Sequence, residues 1–404
     1  MLHTARADAA ARLQAMGLPA RRDEYWKWTD PAPLLAAEVA PSPALRVERP
    51  IFAALDRVRL VFTDGVFDAA ASDSPDLAGV TITRLANAGG VSDDWQGSYG
   101  ALESAGQVPV KRPLAALNTA RATDGLLIHV QGRAPRPLHI SYRQTTDSCE
   151  AMLHHCLRLD PGAELTLLET GTAAARANLV LEVEVGAGAR FHHIRPQGRA
   201  AGRRVASHIF ARIHAGALFK SFTLSADGAL TRNEAVLDIV GDGAVAHIAG
   251  AALGDGGQAP FHHDDTVFIT HGAQGCESRQ VFKKVLKHGA TGVFQGKILV
   301  RPGAQKTDGY QISQALLLDE NSQFLAKPEL EIYADDVKCS HGSTTGAIDE
   351  DALFYLRSRG VPRQEAEALL ILSFLADAIA EIEDSAIQAE VIARLEGWLA
   401  QHRG

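Results

Sequence analysis

Short runs in which hydrophobic and polar residues alternate dominate the middle of the chain, from about Leu126 to Asp336. In the run LVLEVEV, residues 179–185, period two places four aliphatic side chains on one face of a strand and both glutamates on the other. The run ELEIYA, residues 329–334, repeats the pattern with Leu, Ile and Ala on one face. This alternation predicts many short β-strands, each with one face in a hydrophobic core.

A Gly-Ala pair recurs between these runs at spacings of 26 to 29 residues, and then of 17 and 14. The glycines are Gly162, Gly188, Gly216, Gly243, Gly272, Gly289 and Gly303. A glycine at a fixed place in each unit supplies a tight turn with positive φ, after which a strand begins. Repeats of this length indicate stacked units that bury their apolar faces against one another. A β-sandwich also has many short strands, but the regular glycine positions favour a β-solenoid.

The N-terminal part of the chain is expected to be helical and then mixed. MLHTARADAAARLQAMGLPARR predicts an amphipathic first helix, because Asp8 and the lack of serine enrichment argue against a transit peptide. An extended connector rich in proline and alanine follows at residues 28–50. Short strands and loops are expected from Ile51 to about Leu117, with KRPLAALN, from Lys111, as a short helix.

The C-terminal part is also predicted to be helical. Asp349 is a good N-cap for a first helix, Gly360 ends that helix, and Pro362 opens the next. The segment EAEALLILSFLADAIAEI, residues 365–382, has more apolar positions than one core-facing stripe needs. It is expected either to pack on the end of the solenoid or to present a second apolar face to a partner protein.

The predicted fold class is therefore mainly β, with helical regions at both ends. We expect an N-terminal helical and mixed region at residues 1–117, a β-solenoid core at 118–346 and a C-terminal helical region at 347–404.

Composition narrows the function classes. The chain has 404 residues, of which 46% are hydrophobic and 22% charged, an ordinary globular balance. A formal net charge of −8 disfavours broad contact with nucleic acid, and no apolar run reaches the ~20 residues that span a bilayer. Four cysteines in so long a chain indicate free thiols rather than a disulfide scaffold, which predicts a cytoplasmic location.

The densest candidate site is ADDVKCSHGSTTG, residues 334–346. If the preceding strand continues through it, Val337, Cys339 and His341 share one face, with Cys339 and His341 about 7 Å apart. Both offer donors that suit zinc or iron, but a closed zinc or cluster site takes four ligands. The others would come from elsewhere in the chain or from another subunit. From the residues alone, a buried cysteine beside a hydrogen-bonded histidine in the last turn is favoured.

Three other groups of histidines are expected to be structural. In CEAMLHHCL, from Cys149, alternation sends His154 and Cys156 to one side and His155 to the other. The segment from Phe261 to Gln280 holds a dense His, Asp and Cys group, which we expect to be solvated polar groups at strand edges. FHHIRP, from Phe191, places its two histidines on opposite faces.

The chain is not expected to bind a nucleotide on its own. In GVFQGKI, residues 292–298, three residues rather than four separate the two glycines, and Ile298 follows the lysine, so this is no Walker A loop. No GxSxG nucleophile motif is present either.

Three segments carry a family resemblance: GLPARRDEYWKWT from Gly17, KTDGYQISQALLLDE from Lys306, and KPELEIYADDVKCSHGSTTGAIDEDALFYLRSRG from Lys327. From near residue 17 to about 383, the chain resembles the SufD group of the SufB/SufD family, subunits of the Suf iron–sulfur cluster assembly scaffold. The resemblance implies a right-handed parallel β-helix between helical regions.

The resemblance also implies a function. It predicts a scaffold subunit rather than an enzyme, joined to SufB through the β-helix and to the ATPase SufC through the C-terminal helices. Isolated chains could pair as a homodimer in the same way. Cys339 and His341 match the family's Cys-x-His positions, which implies that they ligate iron or a transient cluster assembled with SufB. Leu353 and Leu356, in the first C-terminal helix, are the expected SufC contacts.

Two other function classes are compatible with a solenoid. A carbohydrate-active enzyme would need paired carboxylates in a groove, for which Asp264 and Asp265 are the nearby pair, but aromatic residues are only 6% of the chain. A solitary metal-binding protein could use residues 262–276.

Overall fold

Two long sheets built from alternate strands form the centre of the molecule, in a computed structural model that describes residues 2–43, 50–90, 98–257 and 259–402. From β4 onward, successive strands alternate between the two sheets, so that each pair of strands makes one turn of a parallel β-solenoid with about eight turns. The predicted fold class is confirmed, and the sandwich alternative is wrong, because neighbouring strands within each sheet run parallel along the solenoid.

The ten-stranded sheet has the order β19-β17-β15-β13-β11-β9-β7-β5-β1-β2. Its strands are β1 Val58–Thr63, β2 Val66–Phe67, β5 Leu138–Arg143, β7 Glu164–Gly171, β9 Arg190–Pro196, β11 Leu218–Ala226, β13 Val245–Asp255, β15 Glu277–Lys287, β17 Asp308–Leu317 and β19 Lys338–Gly346.

The nine-stranded sheet has the order β18-β16-β14-β12-β10-β8-β6-β4-β3. Its strands are β3 Val80–Arg84, β4 Leu126–Val130, β6 Glu150–Leu159, β8 Arg176–Val185, β10 Arg204–Ile213, β12 Leu230–Ile239, β14 His262–His271, β16 Thr291–Val300 and β18 Gln323–Ile332. Strands β1 to β3 come from residues 58–84 and extend the solenoid's sheets, so the division into three regions remains a prediction.

The inward faces of the strands form the main core. The four inward-facing aliphatic residues of LVLEVEV are buried in this core, as period two predicts. Glu182, on the opposite face of the same run, is buried as well. Its face of the sheet is covered by helices, as is usual for parallel sheets.

Glycines with positive φ precede the strands as predicted, with one correction. Gly188 and Gly216, for example, have φ of 66° and 63° and stand two residues before β9 and β11. Gly272 does not have a positive φ, so its assignment as the turn glycine was wrong; Gly275, with φ 64°, has that role before β15. The Gly-Ala pair at 272 lies one residue after β14, where it has the same sequence but a different conformation.

Helices cover the outer faces of both sheets. They are α1 Leu2–Met16, α2 Ala32–Leu35, α3 Ala101–Ala105, α4 Pro113–Arg121, α5 Glu350–Ser358, α6 Arg363–Ile379 and α7 Ser385–Gln401, with short 3-10 helices at Glu24–Trp26 and Leu85–Gly90. The helices α2, α3 and α4 contact the nine-stranded sheet, and α6 contacts β13 and β15 of the ten-stranded sheet.

The predicted first helix and the helix after Lys111 are both present, as α1 and α4. The expected connector at 28–50 contains the short helix α2, and its residues 44–49 lie outside the described part of the chain. None of the helices in the described ranges is long and apolar enough to cross a membrane.

The C-terminal helices begin and end where their sequence signals place them. The Asp349 carboxylate accepts hydrogen bonds from the backbone N–H groups of Asp351 and Ala352, and Gly360 has φ 86° just after α5. The helix α6 buries Ile371 and Leu375 against the flank of the solenoid, not against its end as one alternative expected.

Candidate functional site

Cys339 and His341 lie on β19, the edge strand of the ten-stranded sheet at the C-terminal end of the solenoid. In register with the neighbouring strand β17, Cys339 stands beside Gly309 and His341 beside Gln311. Hydrogen bonds between the Ser313 and Ser343 hydroxyl groups, and from the backbone N–H of Lys338 to the Thr307 carbonyl, hold β19 on β17. The two candidate ligands are thus carried by the strand that terminates the stack.

The Cys339 side chain is half-buried at this end. It packs on a small apolar cluster that includes Ile298, Val300 and Ala334. A Cβ on Gly309 would come within 3.2 Å of the Cys339 Sγ, so glycine at 309 leaves the sulfur its place. Burial raises the pKa of the Cys339 thiol, and the negative charge of Asp308 adds to this effect. The thiol is therefore held in its protonated form until a cation replaces the proton.

The His341 side chain is exposed and shares the Cys339 face of β19. Within the described residues, no further His, Cys, Asp or Glu donor completes a group of three with this pair. The pair is an accessible imidazole next to a shielded thiol, and two donors are fewer than a closed metal or cluster site requires.

Two buried glutamines continue inward from His341. Gln311 is its cross-strand neighbour, and Gln280 is in turn the neighbour of Gln311. Both are fully buried, and neither amide finds a hydrogen-bond partner among the described residues. A Cβ on Gly296 would meet the Gln311 amide oxygen at 2.5 Å, so the absence of a side chain there makes room for it. Sequence reasoning missed these glutamines, although period two marks positions 280 and 311 as inward-facing polar residues.

Most of the His, Asp and Cys residues between Phe261 and Gln280 are buried, so the prediction of solvated strand-edge groups was wrong for them. Asp265 points into the solenoid, where the Lys284 ammonium lies 2.5 Å from its carboxylate and 2.7 Å from the His263 ring. Asp264 points outward and pairs with the Arg232 guanidinium beneath the N-terminal region. The two aspartates therefore lie on opposite faces and are each neutralised by a cation, which leaves no paired carboxylates for glycoside hydrolysis.

Both predictions of split histidine pairs are confirmed. His155 points inward and contacts the Tyr142 hydroxyl, whereas His154 and Cys156 share the outward face. His193 is bonded to Glu169 inside the solenoid, and His192 lies outside, 3.7 Å from the Glu383 carboxylate. The sequence did not show that a neighbouring strand brings Glu182 to His154 and Cys156, because that contact depends on the register of β8 against β6.

The expected partner-binding leucines differ in exposure. Leu353 is 2% exposed and packs within its own chain, and Leu356 is half-buried. Between them, Phe354 is 74% exposed and Tyr355 is 55% exposed. The apolar surface that α5 offers to solvent is therefore carried mainly by the two aromatic residues.

Comparison with known proteins identifies the family of this chain. The model of the SUF system FeS cluster assembly SufBD core domain matches residues 142–374, more than half of the chain. The chain belongs to the SufBD family. Residues 142–374 run from β5 through β19 into α6 and include both candidate ligands.

Relatives that match this chain over most of their length support the same assignment. The chain is 31% identical to the iron–sulfur cluster assembly protein SufD of Escherichia coli, over 95% of this chain and 90% of the relative. It is 27% identical to a SufBD family protein of Synechocystis, over 96% and 88% of the two chains. A chloroplastic protein of Arabidopsis thaliana, ABCI7, is 25% identical over 98% and 86%. The predicted likeness to SufD is confirmed, and with it a role in iron–sulfur cluster assembly.

Proposed function

We propose that this SufBD family member is a non-catalytic scaffold subunit that supplies His341 and Cys339 as ligands for iron or a transient iron–sulfur cluster. The supporting observation is the placement of an incomplete pair of donors on the last strand of the solenoid. An incomplete set at an edge is suited to completion by ligands from a second subunit.

The two residues have different roles in this proposal. His341 is accessible and binds iron first through its neutral imidazole. Cys339 loses its proton only when a cation is next to it, because burial disfavours the free thiolate. The pair then holds iron only while a partner supplies the remaining ligands.

A SufB-type subunit is the proposed source of those ligands. Within the part of the chain that the structure describes, the end strands β18 and β19 each have a strand neighbour on one side only. Exposed strand edges pair with strands of other chains. The apolar residues Ile332 and Tyr333 are exposed at the end of β18 and beyond it. Isolated chains would use the same edges to form a homodimer.

The C-terminal helices are the proposed binding surface for a SufC ATPase. Phe354 and Tyr355, with the half-buried Leu356, form the exposed apolar part of α5. The nucleotide would be bound by that ATPase and not by this chain. Dimerisation of the ATPase would then pull on the C-terminal helices and open the interface at β18 and β19, in the cytoplasm.

Cluster reconstitution in the three-subunit complex tests the ligand role. The complex is co-expressed, purified without oxygen and supplied with iron and sulfide, and cluster formation is followed by visible absorption. His341→Ala should assemble into the complex but lose most of its cluster, and Cys339→Ser should build it more slowly. His3→Ala, which removes an exposed histidine of α1, is the matched control and should behave as wild type.

The outcomes separate the parts of the proposal. A complex that forms clusters at the wild-type rate with His341→Ala would overturn the ligand role and leave the scaffold role. Failure of the wild-type chain to form a complex would overturn the scaffold role itself.

A further inference from the structure

A second group of metal-ligating side chains lies on the outer face of the nine-stranded sheet, remote from β19 in the strand order. His154 and Cys156 are two residues apart on β6, and Glu182 is the direct cross-strand neighbour of Cys156 on β8. The His154 Nε2 lies 3.0 Å, and the Cys156 Sγ 3.4 Å, from the same carboxylate oxygen of Glu182. All three side chains are buried.

The orientation of His154 is fixed by its other ring nitrogen. The Asn118 amide nitrogen donates to the backbone carbonyls of Leu153 and Asn178, at 3.1 and 2.7 Å, which identifies the oxygen of that amide. This oxygen accepts a hydrogen bond of 3.1 Å from the His154 Nδ1–H. The Nε2 atom therefore points at Glu182, and either a proton shared by these two groups or a metal ion must lie between them. A second partner that fixes the tautomer is typical of metal-bound histidine.

The charges at the group also suit a divalent metal. Among the described residues, His154 is the single ion-pairing partner of Glu182, so no lysine or arginine occupies the place of a metal. A carboxylate and a thiolate together carry two negative charges, which one divalent ion balances. Metal binding would release two protons to solvent, one from the Cys156 thiol and one shared by His154 Nε2 and Glu182, so the net charge of the buried group would stay at zero.

The three donor atoms lie within 4.8 Å of one another, and the two distances to Glu182 need little adjustment. In a tetrahedral zinc site, bonds of about 2.1 Å to nitrogen and oxygen and 2.3 Å to sulfur place neighbouring donors roughly 3.4 to 3.6 Å apart. The separations of 3.0 and 3.4 Å are slightly shorter, so the ligands would move apart by a few tenths of an ångström. The backbone N–H of Gly100 donates to the Glu182 oxygen that contacts His154 and Cys156, and the N–H of Glu103 donates to the other oxygen. The Tyr99 ring covers His154.

We infer that His154, Cys156 and Glu182 form a binding site for one divalent transition metal of the zinc or ferrous type. The metal would fasten the segment at Tyr99 to Glu103 to the solenoid, since Glu182 holds both. This site is separate from the pair on β19, so the inference does not depend on the proposed scaffold function.

Cobalt binding tests the site. The full chain carrying His341→Ala and Cys339→Ser, so that the β19 pair cannot contribute, is stripped with a chelator and titrated with Co²⁺ without oxygen. One equivalent should bind with a thiolate-to-cobalt charge-transfer band in the near ultraviolet. Cys156→Ser in this background should remove the band, and Glu182→Gln should weaken binding at least tenfold. Cys149→Ser, which alters the half-buried cysteine that precedes β6, should change neither.

A second measurement does not depend on the folding of the Cys156 and Glu182 variants. X-ray absorption of the cobalt-loaded background chain should show one sulfur neighbour together with nitrogen and oxygen neighbours. The inference is overturned if the background chain binds no stoichiometric cobalt, if the bound cobalt has no sulfur neighbour, or if the charge-transfer band survives Cys156→Ser.

Discussion

His139 shows how single buried residues tie the stability of this protein to pH. Its Nδ1 accepts a hydrogen bond of 2.9 Å from the Arg57 Nε–H, and its Nε2 lies 2.7 Å from the Thr170 hydroxyl. Burial lowers the pKa of His139 to about 3, with the positive charges of Arg57 and Arg59 as further causes. The ring is therefore neutral in the folded protein between pH 7 and pH 5.

The sign of the pH effect follows from the unfolded chain. Between pH 7 and pH 5 the unfolded chain takes up a proton on His139 and the folded protein does not, so this residue should lower the free energy of unfolding by about 2 kcal/mol. Urea unfolding at the two pH values measures the change. His139→Gln should show a correspondingly smaller loss between pH 7 and pH 5. An equal loss in the variant and the wild type would contradict the assigned pKa.

At the residue scale, the sequence predicted which face of a strand a residue occupies better than it predicted which residues contact it there. Period two separated His154 and Cys156 from His155 correctly, because alternation is a local property. It could not find Glu182, which joins them through strand register, or show that Asp265 meets Lys284 inside the solenoid. Those contacts depend on the register between strands in successive coils of the solenoid. This register is set by the connecting loops, whose lengths vary.

Among the structural elements, the turns before the odd-numbered strands test the role of glycine. A Cβ on Gly216 would touch nothing within 4 Å, so the cost of an alanine there comes from its φ of 63° alone. Gly216→Ala should lower the free energy of unfolding by about 1 kcal/mol. Gly132→Ala is the matched control, because position 132 also has open space but no positive φ. The comparison is made by urea unfolding, and equal effects of the two changes would contradict the conformational explanation.

Leu353 and Phe354 are neighbours on α5, and substitutions at these two positions are expected to have different effects. Leu353→Asp places a charge at a buried position and should destabilise the chain by about 3 kcal/mol. Phe354→Asp alters an exposed residue and should leave the unfolding temperature nearly unchanged while it weakens capture of SufC. Thermal unfolding and co-purification measure both. Normal SufC capture by Phe354→Asp would place that contact elsewhere.

The elements themselves were largely predictable where a local signal exists. The cap at Asp349 and the stop at Gly360 define α5, and Gly-Ala pairs mark most turns. The exception, Gly272, shows the limit: the same dipeptide lies at a strand end there, and Gly275 has the positive φ. A dipeptide does not reveal which of two nearby glycines has the left-handed conformation.

At the scale of the whole molecule, the two ends of the solenoid are expected to differ in association. Ile332 is 40% exposed at the end of β18, the C-terminal edge strand of the nine-stranded sheet. Val66 is 64% exposed on β2, the edge strand of the ten-stranded sheet at the other end of the solenoid. Ile332→Lys should weaken association, both with SufB and between isolated chains, by at least tenfold, or about 1.4 kcal/mol. Val66→Lys should have no such effect. Analytical ultracentrifugation and SufB co-purification distinguish the two, and equal behaviour of the variants would remove the C-terminal edge as the interface.

The overall architecture was predictable because a repeat is visible in one sequence, but the covering of its outer faces was not. The period of the glycines indicated stacked turns. The burial of Glu182 and Asp264, both outward-facing, depends on helices that lie far from them along the chain. Period two assigns a side chain to a face and does not show what covers that face.

The order of the turns has a consequence for how the protein is made. From β6 onward, each strand pairs with strands 26 to 32 residues away along the chain, as Arg204 does with Arg176 and Leu230. On a translating ribosome, early turns can therefore stack while later ones are still being synthesised. Among the described strands, the one with Cys339 and His341 emerges last, ahead of the C-terminal helices. The proposed ligands consequently reach their places only when nearly the whole solenoid exists to hold them.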